Sequence, residues 1–215
     1  MNPAKEVGGD LYDYFVRAGR LYFCIGDVAG KGVPAALFMT TVCGAFRLLA
    51  ESETEPQRIV SRMNDMMTRD NSMTIFVTFF AGVLDLDTGR LRYCNAGHKA
   101  PLVDGQPLPV YHNLPIGAMP DWEFEVQEAD LAPGTTLFLY TDGLDEAENA
   151  QHQMFGKQRI LEVLQATSPE PQTLISQMTL AVADFVGDTE QSDDLTMLAL
   201  QMSGYTEPLT QACGA

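Results

Sequence analysis

The feature that most constrains this chain is where its strand-forming runs fall: they are bunched between pairs of helices, not alternated with them. The stretch "TIFVTFFAGVLDLDTGRLRYCNAG", residues 74–97, carries β-rich runs on both sides of "DLDTG", a hairpin signal. Further short strands are predicted near 100–104, 122–128 and 135–140, and "LTMLALQM" supplies a closing one. Ahead of this block, after an opening hairpin, helical spacing runs over about 33–50 and 56–69, with Pro56 suited to a first helical turn. Behind it, helices are predicted over about 157–165 and 171–186, where Leu174, Ile175, Met178, Val182 and Phe185 share one face. A doubly wound parallel sheet needs regular βαβ alternation, so this order predicts an α+β domain with a central β core and helices packed outside it.

No repeat or low-complexity segment divides the chain, which reads as one domain over 1–202 with a C-terminal tail over 203–215. Because "MNPAKEVGGD" reaches a glycine pair almost at once, the domain is expected to be excised from a longer regulatory protein. The formal charge of -16 repels phosphate backbones and anionic membrane surfaces, which argues against nucleic acid as a partner. Such an excess serves solubility, or it gathers carboxylates to hold cations; the total does not separate the two. Cys24, Cys43, Cys94 and Cys213 include no CxxC pair, as expected of a reduced, cytoplasmic protein. The most apolar segment, 33–50, is interrupted by Thr40, Thr41 and Arg47, so no signal peptide or membrane span is expected in this segment.

The stretch "CIGDVAGKGVPAALF", residues 24–38, sets an acidic residue after an apolar run, then glycines and a lysine. A P-loop reads GxxxxGK followed by Ser or Thr; here Gly26 and Gly30 enclose only Asp27, Val28 and Ala29, and Gly32 follows Lys31. The remaining reading is a carboxylate at a strand end. A lone Asp there is ordinarily a turn or cap residue, and "DLDTG" and "VDGQP" assign Asp85, Asp87 and Asp104 to turns. Three other sites share the grammar of Asp27: Asp10 in "VGGDLYD", Asp142 in "LFLYTDGLDE", and the pair Asp193 and Asp194 in "EQSDDLTMLAL".

Strand ends aim short side chains with little freedom, and neighbouring glycines let a ligand approach closely. Converging carboxylates repel one another unless protons or cations neutralise them, and two divalent ions would balance four. Oxygen-only ligation points to magnesium or manganese, and His98, His112 and His152 are nowhere paired at helical spacing for a histidine site. Two such ions about 3.5 to 4 Å apart can share a water, lower its pKa and stabilise in-line displacement at phosphorus. The "GGD" string also raises a nucleotide cyclase, but Leu11 and Tyr12 follow where that signature needs an acidic continuation.

Six fragments in order, "EVGGDLYDYF", "IGDVAGKGVPAALFM", "FVTFFAGVLDLDTGRLRYCNAGHKAPLV", "LPIGA", "LFLYTDGLDEAEN" and "SDDLT", resemble the SpoIIE/RsbU-type branch of the PPM (protein phosphatase 2C-like) serine/threonine phosphatases, from about residue 4 to residue 202. The resemblance implies a central antiparallel β-sandwich flanked by α-helices, the four-layer αββα arrangement, with two divalent ions, Mn2+ or Mg2+, at one end. It implies Asp27 as the carboxylate bridging the ions, the Val28 carbonyl and Asp10 serving one, and Asp142 with Asp193 the other. Asp194 is either a partner behind these ligands or a ligand in Asp193's place; with Asp10 and Asp27 it completes the expected catalytic carboxylates. The implied reaction is hydrolysis of phosphoserine or phosphothreonine by a metal-bridged water. The implied substrate is a phosphorylated STAS-type anti-sigma-factor antagonist in bacterial partner-switching. A non-catalytic or conditionally active module that binds and switches a partner is the alternative.

The chain also departs from the wider family. Val28 and Ala29 follow Asp27 where a Gly-His pair is common, so leaving-group protonation must come from elsewhere, and Gly9 replaces an acidic residue before Asp10, implying one loosely held ion. Lys5 stands where other members keep an arginine for substrate phosphate, and His98 in "NAGHKAP" is expected to be structural, its ring satisfying loop backbone. The helices at 33–50 and 56–69 carry more Met, Phe and Leu than one stripe needs, as expected if part of that face meets a second chain in a homodimer or an upstream sensor or regulatory domain.

Overall fold

Alternation along the strands builds the architecture. In β2 (Arg20–Val28), Tyr22 and Cys24 enter one apolar core while Phe23 and Ile25 enter a second on the opposite face. In β3 (Val77–Asp85), Val77, Phe79, Ala81 and Val83 join the first core, and Phe80 and Leu84 the second. In β8 (Thr136–Tyr140), Leu137 and Leu139 face the second core while Phe138 and Tyr140 open a third. A sheet apolar on both faces must be covered on both, which yields four layers around three cores.

The computed structural model describes residues 1, 8–30, 32–69, 75–191 and 193–203. One sheet has the order β1-β2-β3-β4-β7, with β1 at Asp10–Arg17, β4 at Arg90–Ala96 and β7 at Gln127–Asp130. The other runs β6-β5-β8-β9, with β5 at Leu102–Val103, β6 at Gln106–Pro107 and β9 at Met197–Gln201. Every ladder in both is antiparallel. α1 (Val33–Ala50) and α2 (Pro56–Thr68) cover the five-stranded sheet, while α4 (Gly156–Ala166) and α5 (Pro171–Val186) cover the other. The expected α+β sandwich flanked by helices is therefore what the chain forms.

The structure also departs from the expected elements. Residues 122–126 are not a strand: the Asn113 side chain takes the Glu125 backbone, its Oδ1 accepting from Glu125 N at 3.2 Å and its Nδ2 donating to Glu125 O. The strand in that region is β7, further along. A one-turn helix, α3 (Asp142–Asp145), follows β8 where only a turn was expected. α1 is long and apolar enough by length and composition to cross a membrane. It is nevertheless a core helix, burying Val42, Ala45, Phe46, Leu49 and Ala50 against the sheet while Val33, Leu37 and Leu48 stay exposed. The 203–215 tail lies outside the described residues except for Ser203.

Candidate active site

The two sheets deliver their acidic residues to the same end of the sandwich. Asp10 opens β1 and Asp27 is the penultimate residue of β2, and the antiparallel register makes them direct cross-strand partners. Side chains so placed have Cβ atoms about 5 Å apart. From the second sheet, β8 ends at Tyr140 and Asp142 begins α3, while Asp193 and Asp194 lie in the connection entering β9. The Thr141 and Thr196 backbones stitch these two segments together: Thr141 N donates to Thr196 O, and Thr196 N to the Thr141 hydroxyl, both at 3.1 Å. Gly143 permits their contact, because a Cβ there would lie 1.9 Å from the Asp194 carbonyl oxygen.

Three hydrogen bonds tie the sheets together at the site. The Thr141 hydroxyl donates to Asp10 Oδ2 at 2.7 Å, reaching from the second sheet to the first. Asp194 Oδ2 accepts from the Gly9 backbone at 2.6 Å and, more weakly, from Asp10 N at 3.4 Å, so its carboxylate holds the start of β1. Gly8 makes room for this, since a Cβ there would meet Asp194 Oδ2 at 2.2 Å. A Cβ at Gly9 would find the Val28 carbonyl oxygen at 3.1 Å and Asp27 Oδ1 and the Gly30 carbonyl oxygen at 3.6 Å, so main-chain and carboxylate oxygens converge beside β1.

Charge is in excess here. Burial pushes the Asp10 carboxyl up to about 7; the Thr196 and Thr141 hydroxyls pull it back, and the charges of Asp194 and Asp142 push it further. Burial also raises Asp27, to about 8, with the charges of Asp10, Asp142, Asp193 and Asp194 adding to it. Those couplings bring all five expected acidic residues into one electrostatic neighbourhood. Their chemistry, carboxylates with a main-chain carbonyl, is that of hard divalent cations. The donors fit such ions in kind, while among the described residues no three acidic, His or Cys side chains stand close enough together to hold one.

Sequence reasoning missed Thr141 and Thr196, whose only signal is a hydroxyl inside an apolar run beside an acidic residue. It assigned the ring of His98 to loop backbone, and here the structure corrects it. The loop backbone is satisfied by Asn95, whose Oδ1 accepts from His98 N at 2.9 Å and whose Nδ2 donates to His98 O at 2.8 Å. The ring instead meets the Thr78 hydroxyl, 3.0 Å from Nδ1. Burial pulls His98 down to about 4, so it is neutral and enclosed. Asp85 and Asp104 hold turns as expected, Asp85 Oδ1 accepting from Thr88 and Asp104 Oδ1 from Thr136 N. Lys5 lies outside the described residues.

Comparison with known proteins bears on the family and the fold. The model of the stage II sporulation protein E (SpoIIE) family matches residues 17–203. Protein IcfG of Synechocystis sp. is 31% identical over 235 residues, covering 92% of this chain and 36% of its own length. Phosphoserine phosphatase RsbU of Bacillus subtilis is 26% identical over 207 residues, covering 93% of this chain and 61% of its own. The chain thus spans less than two thirds of either relative. Among solved structures, the SiaA-PP2C domain of Pseudomonas aeruginosa superposes with a TM-score of 0.79 at 27% identity, covering 93% of this chain and 83% of that one. A family match over most of its length and a shared fold place this chain in the SpoIIE family of protein phosphatase 2C-like domains.

Proposed function

We propose that this domain is a metal-dependent protein serine/threonine phosphatase. The observation that carries the reading is the convergence of Asp10, Asp27, Asp142 and Asp193 at one end of two sheets, with Asp10 and Asp27 pushed towards neutrality by burial and by the charges of the neighbouring carboxylates. Two divalent ions, Mn2+ or Mg2+, would be held by Asp10, Asp27, the Val28 carbonyl, Asp142 and Asp193. Bound there, they supply charge neutralisation and an activated water for in-line displacement at phosphorus.

The chain's own residues do the rest. Thr141, by donating to Asp10 Oδ2, restrains the rotamer of Asp10. Asp194 sits behind the ligands and anchors the start of β1, so that Asp10 and Asp27 stay in register. Val28 and Ala29 offer no imidazole next to Asp27, so the proton for the departing seryl or threonyl oxygen must come from elsewhere. The balance is one water consumed, one P–O bond broken, and a free hydroxyl and inorganic phosphate released.

The substrate in this reading is a phosphorylated STAS-type anti-sigma-factor antagonist, supported by the likeness to a phosphoserine phosphatase, RsbU. The exposed α1 side chains Val33, Leu37 and Leu48 would meet an upstream sensor or regulatory domain, or a second copy in a homodimer. A cytoplasmic setting accords with Cys24, Cys43 and Cys94, all free thiols. The alternative is a non-catalytic or conditionally active module that keeps the fold and binds and switches a partner.

The test is phosphate release from a phosphoserine peptide with and without Mn2+. Metal-stimulated release that falls at least about a hundredfold in Asp27→Asn supports the assignment. Unchanged turnover in that variant contradicts it, and binding of the phosphopartner without release at saturating Mn2+ favours the alternative.

A further inference from the structure

Asp27 belongs to one sheet and Asp142 to the other, so something must set the spacing between them. The connection from β4 to β5 runs between the two. Asn95 closes it into a rigid loop through its paired bonds to His98. The His98 ring meets Thr78, the residue directly opposite Asp27 across the β2–β3 ladder. The next residue, Lys99, reaches the second sheet: its Nζ donates to both oxygens of Asp145, at 2.8 and 2.9 Å, and lies 3.7 Å from Glu146. Asp145 ends the four-residue helix that Asp142 begins.

Helix α3 has little to hold it on its own. A single turn lies below the length at which a helix is stable in isolation, and two acidic residues at its C-terminal end oppose its dipole. Leu144, fully buried, fixes its depth in the third core, and Gly143 seats it against the Asp194 backbone. The two-pronged bond from Lys99 adds the attachment that reaches it from the β4–β5 connection.

We propose that the Asn95–Lys99 strap sets the spacing of the Asp27 and Asp142 carboxylates, with Lys99 a positioning residue whose bond to Asp145 raises the affinity of the site for divalent cations. The proposal rests on the metal-dependent reading above. It also makes a prediction of sign. A lysine ammonium beside a cluster of carboxylates, acting only as a charge, repels cations, so removing it tightens metal binding. Acting as a clamp, its removal lets α3 shift and weakens binding.

The experiment is calorimetric titration of Mn2+ into the metal-stripped full chain, with circular dichroism and melting to confirm folding. In Lys99→Met the Kd is expected to rise about threefold to tenfold. The charge-swapped pair Lys99→Asp with Asp145→Lys leaves the net charge unchanged, re-forms the bridge in reverse, and is expected to bring the Kd back within about twofold of wild type. Equal or tighter binding in Lys99→Met overturns the strap while leaving the phosphatase reading standing. A loss that the swap does not restore overturns it too. If the wild-type chain binds no Mn2+, both fall together.

Discussion

Replacing Asp27 with asparagine should make the metal-free domain more stable and the metal-loaded domain less so, an inversion that follows from charge alone. The Asp27 carboxyl is raised from an ordinary value of 3.8 to about 8. For a carboxyl so raised, stability is fully present below the unfolded value and is lost as the pH climbs through the folded one, because the unfolded chain ionises first. At pH 7 the full difference is worth at most about 4 kcal/mol, and water reaching a half-buried side chain cuts this to about 2 kcal/mol. Asparagine keeps the shape and removes the ionisation. With metal stripped by EDTA at pH 7, calorimetric melting should place the variant about 4 to 8 °C above wild type, shrinking to within about 2 °C near pH 4.5. A cation at a hundred times its Kd contributes about 2.7 kcal/mol to the wild type and little to the variant, so saturating Mn2+ should reverse the order. A gain independent of pH, or equal Mn2+ shifts in both proteins, would refute the claim that Asp27 sits in a field of like charges relieved by cations.

Two further substitutions probe what holds the site in place. Thr141→Val preserves volume while stripping Asp10 of the Thr141 hydroxyl and leaving Thr196 N unpaired. It should cost about 1 to 3 kcal/mol in denaturant unfolding and lower phosphatase activity about tenfold with a higher metal requirement; wild-type metal dependence would show that Asp10 needs no such support. Gly143→Ala would place a methyl 1.9 Å from the Asp194 carbonyl oxygen, forcing α3 and the β9 connection apart. A loss of at least about 3 kcal/mol is expected, and unaltered melting would mean the two segments are not in the contact described.

Much of this was legible in the sequence because the signals were local. Strand runs grouped between pairs of helices, without regular βαβ alternation, pointed to a central β core with helices outside it. Asp27 announced itself by ending such a run beside glycines. What could not be read was anything whose meaning lies in a distant partner. Thr141 is an unremarked hydroxyl until its bond to Asp10, 131 residues away, is seen. Asp193 and Asp194 are indistinguishable as text, and separate only because Asp194 turns back onto Gly9. The strand expected over 122–128 begins only at Gln127 because the Asn113 side chain occupies the Glu125 backbone, which no periodicity registers. The ring of His98 likewise looked like a loop fastener until Thr78 was found beside it.

The central claim is that carboxylates from both sheets share divalent cations, and anomalous scattering at the manganese edge from crystals grown with Mn2+ tests it most directly. The account predicts two peaks about 3.5 to 4 Å apart, both within bonding distance of Asp27, with Asp10 and the Val28 carbonyl on one and Asp142 and Asp193 on the other. Peaks confined to the outer surface, or none between β2 and α3, would contradict it.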